Sequence, residues 1–221
     1  MKSSDGQVID TVTSYFGMRK IVLGKDSKRL PQMMLNDKFV FQVGPLDQRF
    51  WPDGIYTAPT DEALSLDIQE TLRLGFNCTR KHIKVKPDRW YCMCNKLGLH
   101  VWQDMPSINS YGGKQPIDAP QFKTELEQWV KTDWNHPSII MWVIFNESHG
   151  QHDTESWVAA TQAYEKLLAK SWALNADPGH SAVIYTQLTD VETECNGLLT
   201  YDREINKVIP ERAAVNSGKN P

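Results

Sequence analysis

Ser138-Ile139-Ile140-Met141-Trp142-Val143-Ile144-Phe145 runs directly into Asn146-Glu147. The run is apolar after its serine and shows no alternation of polar and apolar residues. Such a strand needs cover on both faces, the condition of a parallel sheet flanked by helices. The segments on either side of it read as helices. Upstream, from about Pro120, Phe122, Leu126, Trp129 and Val130 fall in helical register. Downstream, Trp157, Thr161, Tyr164, Leu168 and Trp172 do the same. Further toward the N-terminus the alternation repeats. A strand is predicted at Leu99–Asp104, stopped by Met105-Pro106. Before it, Pro87 opens a helix at a first-turn position, Trp90, Cys94 and Leu97 form its buried stripe, and Gly98 ends it. A strand at Phe76–His82 comes after a helix capped by Thr60, with Leu64, Ile68 and Leu72 on one face and Gly75 as its stop. The first strand of the series is predicted at Phe39–Val43, and the last at Ser181–Thr186.

Strands alternating with helices build parallel βαβ units with the helices outside. A closed (β/α)₈ barrel takes about 250 residues, and this chain has 221 with about five strand signals. The expected fold class is therefore α/β, a truncated (β/α) TIM-type barrel with about five parallel strands. Residues 31–210 form the barrel domain in this reading. Residues 1–30 precede it as a closing strand or linker, and 211–221 form a polar, flexible tail.

Composition narrows the function classes. Lys plus Arg is 24 against 27 Asp plus Glu, a net charge of −3, so the chain carries no basic footprint for a nucleic-acid backbone. A mean hydropathy of −0.48 and the lack of an 18-residue apolar run argue against a membrane span. Met1-Lys2-Ser3-Ser4-Asp5-Gly6 leads into no apolar stretch, so no signal peptide is read and a cytoplasmic location is the default. Cys78, Cys92, Cys94 and Cys195 match no zinc signature and read as free thiols.

Active sites of such folds gather at the carboxyl ends of the strands. The predicted strands end near Asp47, in Arg80 and His82, in Asp104, in Asn146-Glu147, and in Gln187, Asp190 and Glu192. A carboxyl group beside apolar strand ends can hold its proton to higher pH and act as a general acid. An adjacent Asn can bond a sugar hydroxyl, and an Arg and a His can orient the acid. That inventory suits glycoside cleavage, which sets two carboxyl groups across the scissile bond. Structural roles compete with each assignment. Asn-Glu after a strand also serves as a helix cap, Asp104 can satisfy loop amides, and Arg80 can pair with Asp104 or Glu147. Trp90, Trp129 and Trp172 lie on helix stripes and read as core. His82, His149 and His152 resemble no established zinc signature, so neither metal nor other cofactor is expected.

Several of these segments carry a family resemblance. Phe50-Trp51-Pro52-Asp53-Gly54-Ile55-Tyr56-Thr57-Ala58-Pro59-Thr60-Asp61-Glu62-Ala63 resembles the first barrel loop and helix of glycoside hydrolase family 2, which includes β-galactosidases and β-glucuronidases. Leu74-Gly75-Phe76-Asn77 leading to Arg80-Lys81-His82, and Leu97–Pro106, are similar to the next two units of that barrel. Asn135-His136-Pro137 through Asn146-Glu147 is the strongest match. Tyr185–Glu192 and Asn196–Arg203 look like the last barrel strand. The resemblance implies that Glu147 is the general acid/base; from their places at the strand ends, Asp47, Arg80, His82, Asp104 and Asn146 are expected to line the site, and Tyr185 and Gln187 to close it. The resemblance also implies that residues 1–30 are the remnant of a preceding β-domain with its linker. The family nucleophile is a Glu at the end of the seventh strand. Here 185 − 147 = 38 positions separate Glu147 from the last-strand motif, and one helix at about Asp153–Trp172 fills them. Strands five to seven, and the nucleophile, are thus expected to be absent. Glu192, Asp104 or a partner subunit remain as sources of a second carboxylate. The function expected is hydrolysis of a β-glycosidic bond in a carbohydrate substrate; the rival is a non-catalytic carbohydrate-binding remnant. Open sheet edges imply a homodimer.

Overall fold

The computed structural model describes residues 2, 4–48, 50–106, 118–146, 182–194 and 196–207. Two sheets form. The first is antiparallel and three-stranded, with β1 (Ile21–Lys25), β2 (Pro31–Leu35) and β3 (Lys38–Phe39) in that order. The second has five strands: β4 (Gln42–Asp47), β5 (Cys78–Lys81), β6 (His100–Asp104), β7 (Ile139–Val143) and β8 (Ala182–Tyr185), in the order β7-β6-β5-β4-β8. Every pairing in it is parallel. The last strand returns to lie beside the first, as in a barrel that winds back on itself. The result is a partial α/β barrel.

Among the described residues, three helices cross between the parallel strands. Asp61–Arg73 (α1) starts where Thr60 Oγ1 accepts the Ala63 N–H at 3.1 Å and stops before Gly75 at φ +81°. Asp88–Leu97 (α2) ends at Gly98, whose φ of +79° closes the helix in a left-handed turn. Ala119–Asp133 (α3) starts under Asp118, whose carboxylate accepts the Gln121 N–H at 2.9 Å. The core lies between the helices and the sheet. Leu64, Ile68, Trp90, Tyr91, Cys94, Leu99, Val101 and Ile139 form its largest cluster. Trp129 meets Trp142 edge-on at 4.8 Å under α3. No helix among the described residues is long and apolar enough to cross a membrane.

Some expectations shift. The strand predicted at Phe39–Val43 is two elements. Phe39 belongs to β3 and pairs with Met34, while the parallel strand begins at Gln42 and continues through Pro45 to Asp47. Phe39 and Phe41 are exposed. The antiparallel pairing claims the first and leaves the second at the surface. Pro45 sits inside β4, and its carbonyl accepts from Thr79 Oγ1 at 3.0 Å. Pro87 caps α2 rather than opening its first turn. On α2, Leu97 is exposed and Tyr91 takes the buried place beside Trp90 and Cys94. The phenol can be buried because its oxygen is satisfied on both sides, donating to Gln103 Oε1 at 2.7 Å and accepting from the Lys86 N–H at 3.2 Å. The division expected at residue 30 falls inside the antiparallel sheet, between β1 and β2. Those two strands pair over five residues each, so Ile21–Lys25 belongs with Pro31–Leu35. Ile21 and Met33 pack with Ile140, so this sheet also touches the parallel one. Cys78, Cys92 and Cys94 form no disulfide among the described residues, and burial pushes Cys78 up to about 12. Cys195, the helix expected over 153–172 with Trp157 and Trp172, and the tail 211–221 lie outside the described residues.

Candidate active site at the carboxyl ends of the strands

Parallel pairing in register brings the carboxyl ends of β4 to β7 to one edge. Asp47 pairs with Lys81, Lys81 with Gln103, and Asp104 with Val143. Successive residues on each strand point to opposite faces, so this edge carries two separate polar groups.

The first group is centred on Arg80. Its guanidinium holds Asp104 with two bonds, Nε to Oδ1 at 3.0 Å and Nη2 to Oδ2 at 2.9 Å. Nη2 also donates to Asn146 Oδ1 at 2.9 Å. Asp104 is 1% exposed and further accepts the Ile83 N–H at 3.3 Å. His82 Nδ1 stands 3.7 Å from Asp104 Oδ2. A fork-shaped donor is required here, because one cation must orient two acceptors from two different strands. Arg80, His82, Asp104 and Asn146, drawn from β5, β6 and the end of β7, are thus brought together as the sequence suggested.

Asp47 is not in that group. It is buried on the opposite pleat, where Lys81, itself wholly buried, reaches its carboxylate at 3.1 Å and its carbonyl at 2.9 Å. The register neighbour of Lys81, Gln103, bonds Tyr91 of α2, which places this pair on the helix side of the sheet. Lys84 lies in the loop after β5. Its ammonium is 3.5 Å from the centre of the Phe50 ring and 4.6 Å from that of Tyr56, and donates to the Gln48 carbonyl. Burial lowers its pKa to about 8, against the opposing pull of Asp47.

A third cluster belongs to β8. Gln187 is buried and donates from Nε2 to Glu194 Oε2 at 2.8 Å and to Asn196 Oδ1 at 3.0 Å. Tyr185 is part-exposed and donates to the Asn196 carbonyl at 3.1 Å. Gln48, after β4, reaches the same Glu194 oxygen at 3.5 Å. Asp190 is held by Lys207 at 2.6 Å. Glu192 is exposed, at φ +50°, in a turn that Val191 and Glu194 close by exchanging backbone bonds. Glu147, His149 and His152 lie outside the described residues; Asn146, the neighbour of Glu147, is anchored by Arg80.

Sequence reading passed over Lys81, Lys84, Glu194 and Asn196. Lys81 sits inside the Arg80-Lys81-His82 motif, and strand alternation alone would have sent it to the other face. It also passed over Asp88, Asp133 and His136, whose potential ligand atoms all lie within 4.8 Å of one another.

The family described as glycosyl hydrolases family 2, TIM barrel domain, matches residues 57–172, more than half of the chain. A β-galactosidase of Lactococcus lactis subsp. lactis (strain IL1403) is 30% identical over 150 residues, covering 65% of this chain and 14% of that protein. A β-galactosidase of Vibrio vulnificus (strain YJ016) is 28% identical over 170 residues, 73% of this chain and 14% of that protein. A solved structure, β-glucuronidase from Ruminococcus gnavus in complex with D-glucuronic acid, superposes with a TM-score of 0.70 at 14% identity, over 99% of this chain and 54% of that one. The last comparison speaks for the fold. The chain spans only 14% of the length of these curated relatives.

Proposed function

The chain belongs to glycosyl hydrolases family 2, and from that premise we propose that it hydrolyses a β-glycosidic bond with Glu147 as general acid/base. The observation that carries this reading is the Arg80–Asp104–Asn146 network. It fixes the residue immediately before Glu147 at the carboxyl end of β7, the edge at which barrel enzymes do their chemistry. Protonated Glu147 gives its proton to the glycosidic oxygen as the bond breaks, and the carboxylate then takes one from water. Asn146 gives its amide oxygen to Arg80, and in this reading its NH₂ meets a sugar hydroxyl.

The second carboxylate is not the usual one. In our reading the short interval between Glu147 and β8 omits the strand that carries the family nucleophile. Glu192 is the in-chain surrogate, exposed beyond β8. Asp104 is less suited, because both of its oxygens are engaged by Arg80.

The experiment is turnover of aryl β-glycosides by the purified chain. Glu147→Gln is expected to abolish it, and an activated leaving group is expected to restore more of the rate to Glu147→Gln than to Glu192→Gln. Turnover untouched by Glu147→Gln overturns the reading. One observation favours a non-catalytic, carbohydrate-binding role: Asp47, Asp104, Asp190 and Glu194 each bond a side chain of this same chain. Sugar binding by calorimetry without turnover of any aryl glycoside would establish that role instead.

A further inference from the structure

Asp88 opens α2, Asp133 closes α3, and His136 lies in the turn leading to β7. Their potential ligand atoms all fall within 4.8 Å of one another. Asp133 is 2% exposed, and its Oδ2 is buried with no hydrogen-bond partner among the described residues. A buried carboxylate oxygen without a donor is costly. The His136 ring is held in place, stacked on Tyr91 with centroids 4.7 Å apart, and its Nε2 stands 3.9 Å from Asp88 Oδ1. The Asp88 side chain is 84% exposed, so solvent reaches the cluster from that side.

We propose that Asp88, Asp133 and His136 form a divalent-cation site, suited to Zn²⁺ or a neighbouring first-row ion, that ties the start of α2 to the turn after α3. One imidazole nitrogen and two carboxylate oxygens make a borderline donor set, which favours such ions over Ca²⁺ or Mg²⁺. The two carboxylates balance the ion's charge. Donors at about 2.1 Å from a tetrahedral ion stand about 3.4 Å apart, so the cluster must contract, and Asp88, exposed on the first turn of its helix, is the side chain that moves in. Water completes the coordination.

The imidazole binds through Nε2 and carries its proton on Nδ1. That nitrogen faces Asn95 Nδ2 at 3.5 Å, while the Asn95 amide is oriented by the Ser138 N–H donating to its Oδ1 at 2.9 Å. The contact given up is at the long limit of a hydrogen bond. Asn95 presents a donor to that donor and opposes this tautomer. A carboxylate in its place would accept the Nδ1 proton and raise the basicity of the ligand. The site shares no residue with the Arg80 group and does not depend on the glycosidase reading.

The test uses the full chain, stripped with a chelator and titrated with Zn²⁺ against an indicator dye, with Co²⁺ as spectroscopic probe. One Zn²⁺ per chain is expected, with a rise in Tm that EDTA reverses and a Co²⁺ visible band. Asp133→Asn and His136→Gln should each weaken binding at least tenfold, and His136→Gln should alter the Co²⁺ band. Asn95→Asp should tighten binding about tenfold. Absence of stoichiometric binding overturns the proposal. So does wild-type affinity in both Asp133→Asn and His136→Gln, because the ion would then sit elsewhere.

Discussion

Lys81 is the residue on which the sheet edge depends most. Its side chain is wholly buried, and the Asp47 carboxylate at 3.1 Å is a counter-charge for it. Removing one member of a buried pair strands the other, whereas removing both can be nearly neutral. Lys81→Met is therefore expected to cost about 3 kcal/mol in urea unfolding. The double variant Lys81→Met/Asp47→Leu should recover most of that loss, and an additive cost would show that the two do not act as a pair. Lys84 provides a pH signature. Its folded pKa of about 8 lies below the ordinary 10.5. Between those values the unfolded chain binds the extra proton, so this residue makes stability rise as pH climbs from 8 toward 10.5. The urea midpoint of Lys84→Met should rise less over that interval than the wild-type midpoint. Parallel curves would mean that the amine is not held at a lowered pKa.

Among the elements, β4 joins the strands before it in the sheet to the returning last strand, because it pairs with both β5 and β8. Gly44 lies at its middle, where a Cβ would overlap the Cys78 carbonyl of β5. The obstruction is backbone, so it cannot rotate away. Gly98, at the end of α2, is constrained differently: a Cβ there meets nothing within 4 Å, but φ is +79°. Gly98→Ala is thus expected to cost about 1 kcal/mol from the left-handed backbone alone. Gly44→Ala should cost more, about 3 kcal/mol, because the two strands must separate. Thermal unfolding of the two variants compares them directly, and equal costs would mean that β4 can shift as a unit.

At the scale of the molecule, the segment after β8 locks the sheet to α1. Arg203 reaches back to Asp67 at 3.1 Å, both side chains 3% exposed, while its guanidinium stacks on Trp51 at 4.2 Å and donates to the Phe50 carbonyl at 3.0 Å. Chain that is distant in sequence thereby closes the β4 loop. Among the described residues β7 and β8 each pair along one side only. Val12, Phe16 and Met18 expose more than four-fifths of their surface. We propose that a second copy of the chain covers this apolar surface and these edges, because a twofold pair is the commonest solution. Light scattering on a sizing column should then give about twice 25.3 kDa. A mass of one chain at micromolar concentration would refute the dimer.

Local signals in the sequence determined the alternation of strand and helix, the Thr60 and Gly98 boundaries, and the apolar stripe of α3. Each depends on neighbours within a few residues, through capping, backbone conformation or helical period. The residues at strand ends were legible for the same reason, since polar groups after apolar runs mark the edge of a parallel sheet. Which of them meet was decided only in three dimensions. Arg80 and Lys81 are adjacent in the chain, yet the pleat sends one to Asp104 and Asn146 and the other to Asp47. Phe39 and Phe41 fall in one predicted strand with Val43, yet antiparallel pairing with Met34 claims the first and both are exposed. Asp133 and His136 lie three positions apart, but Asp88, more than forty residues away, joins them only when α2 packs against the turn after α3. Proximity between elements comes from how their faces are buried together, and no local pattern in the chain encodes it.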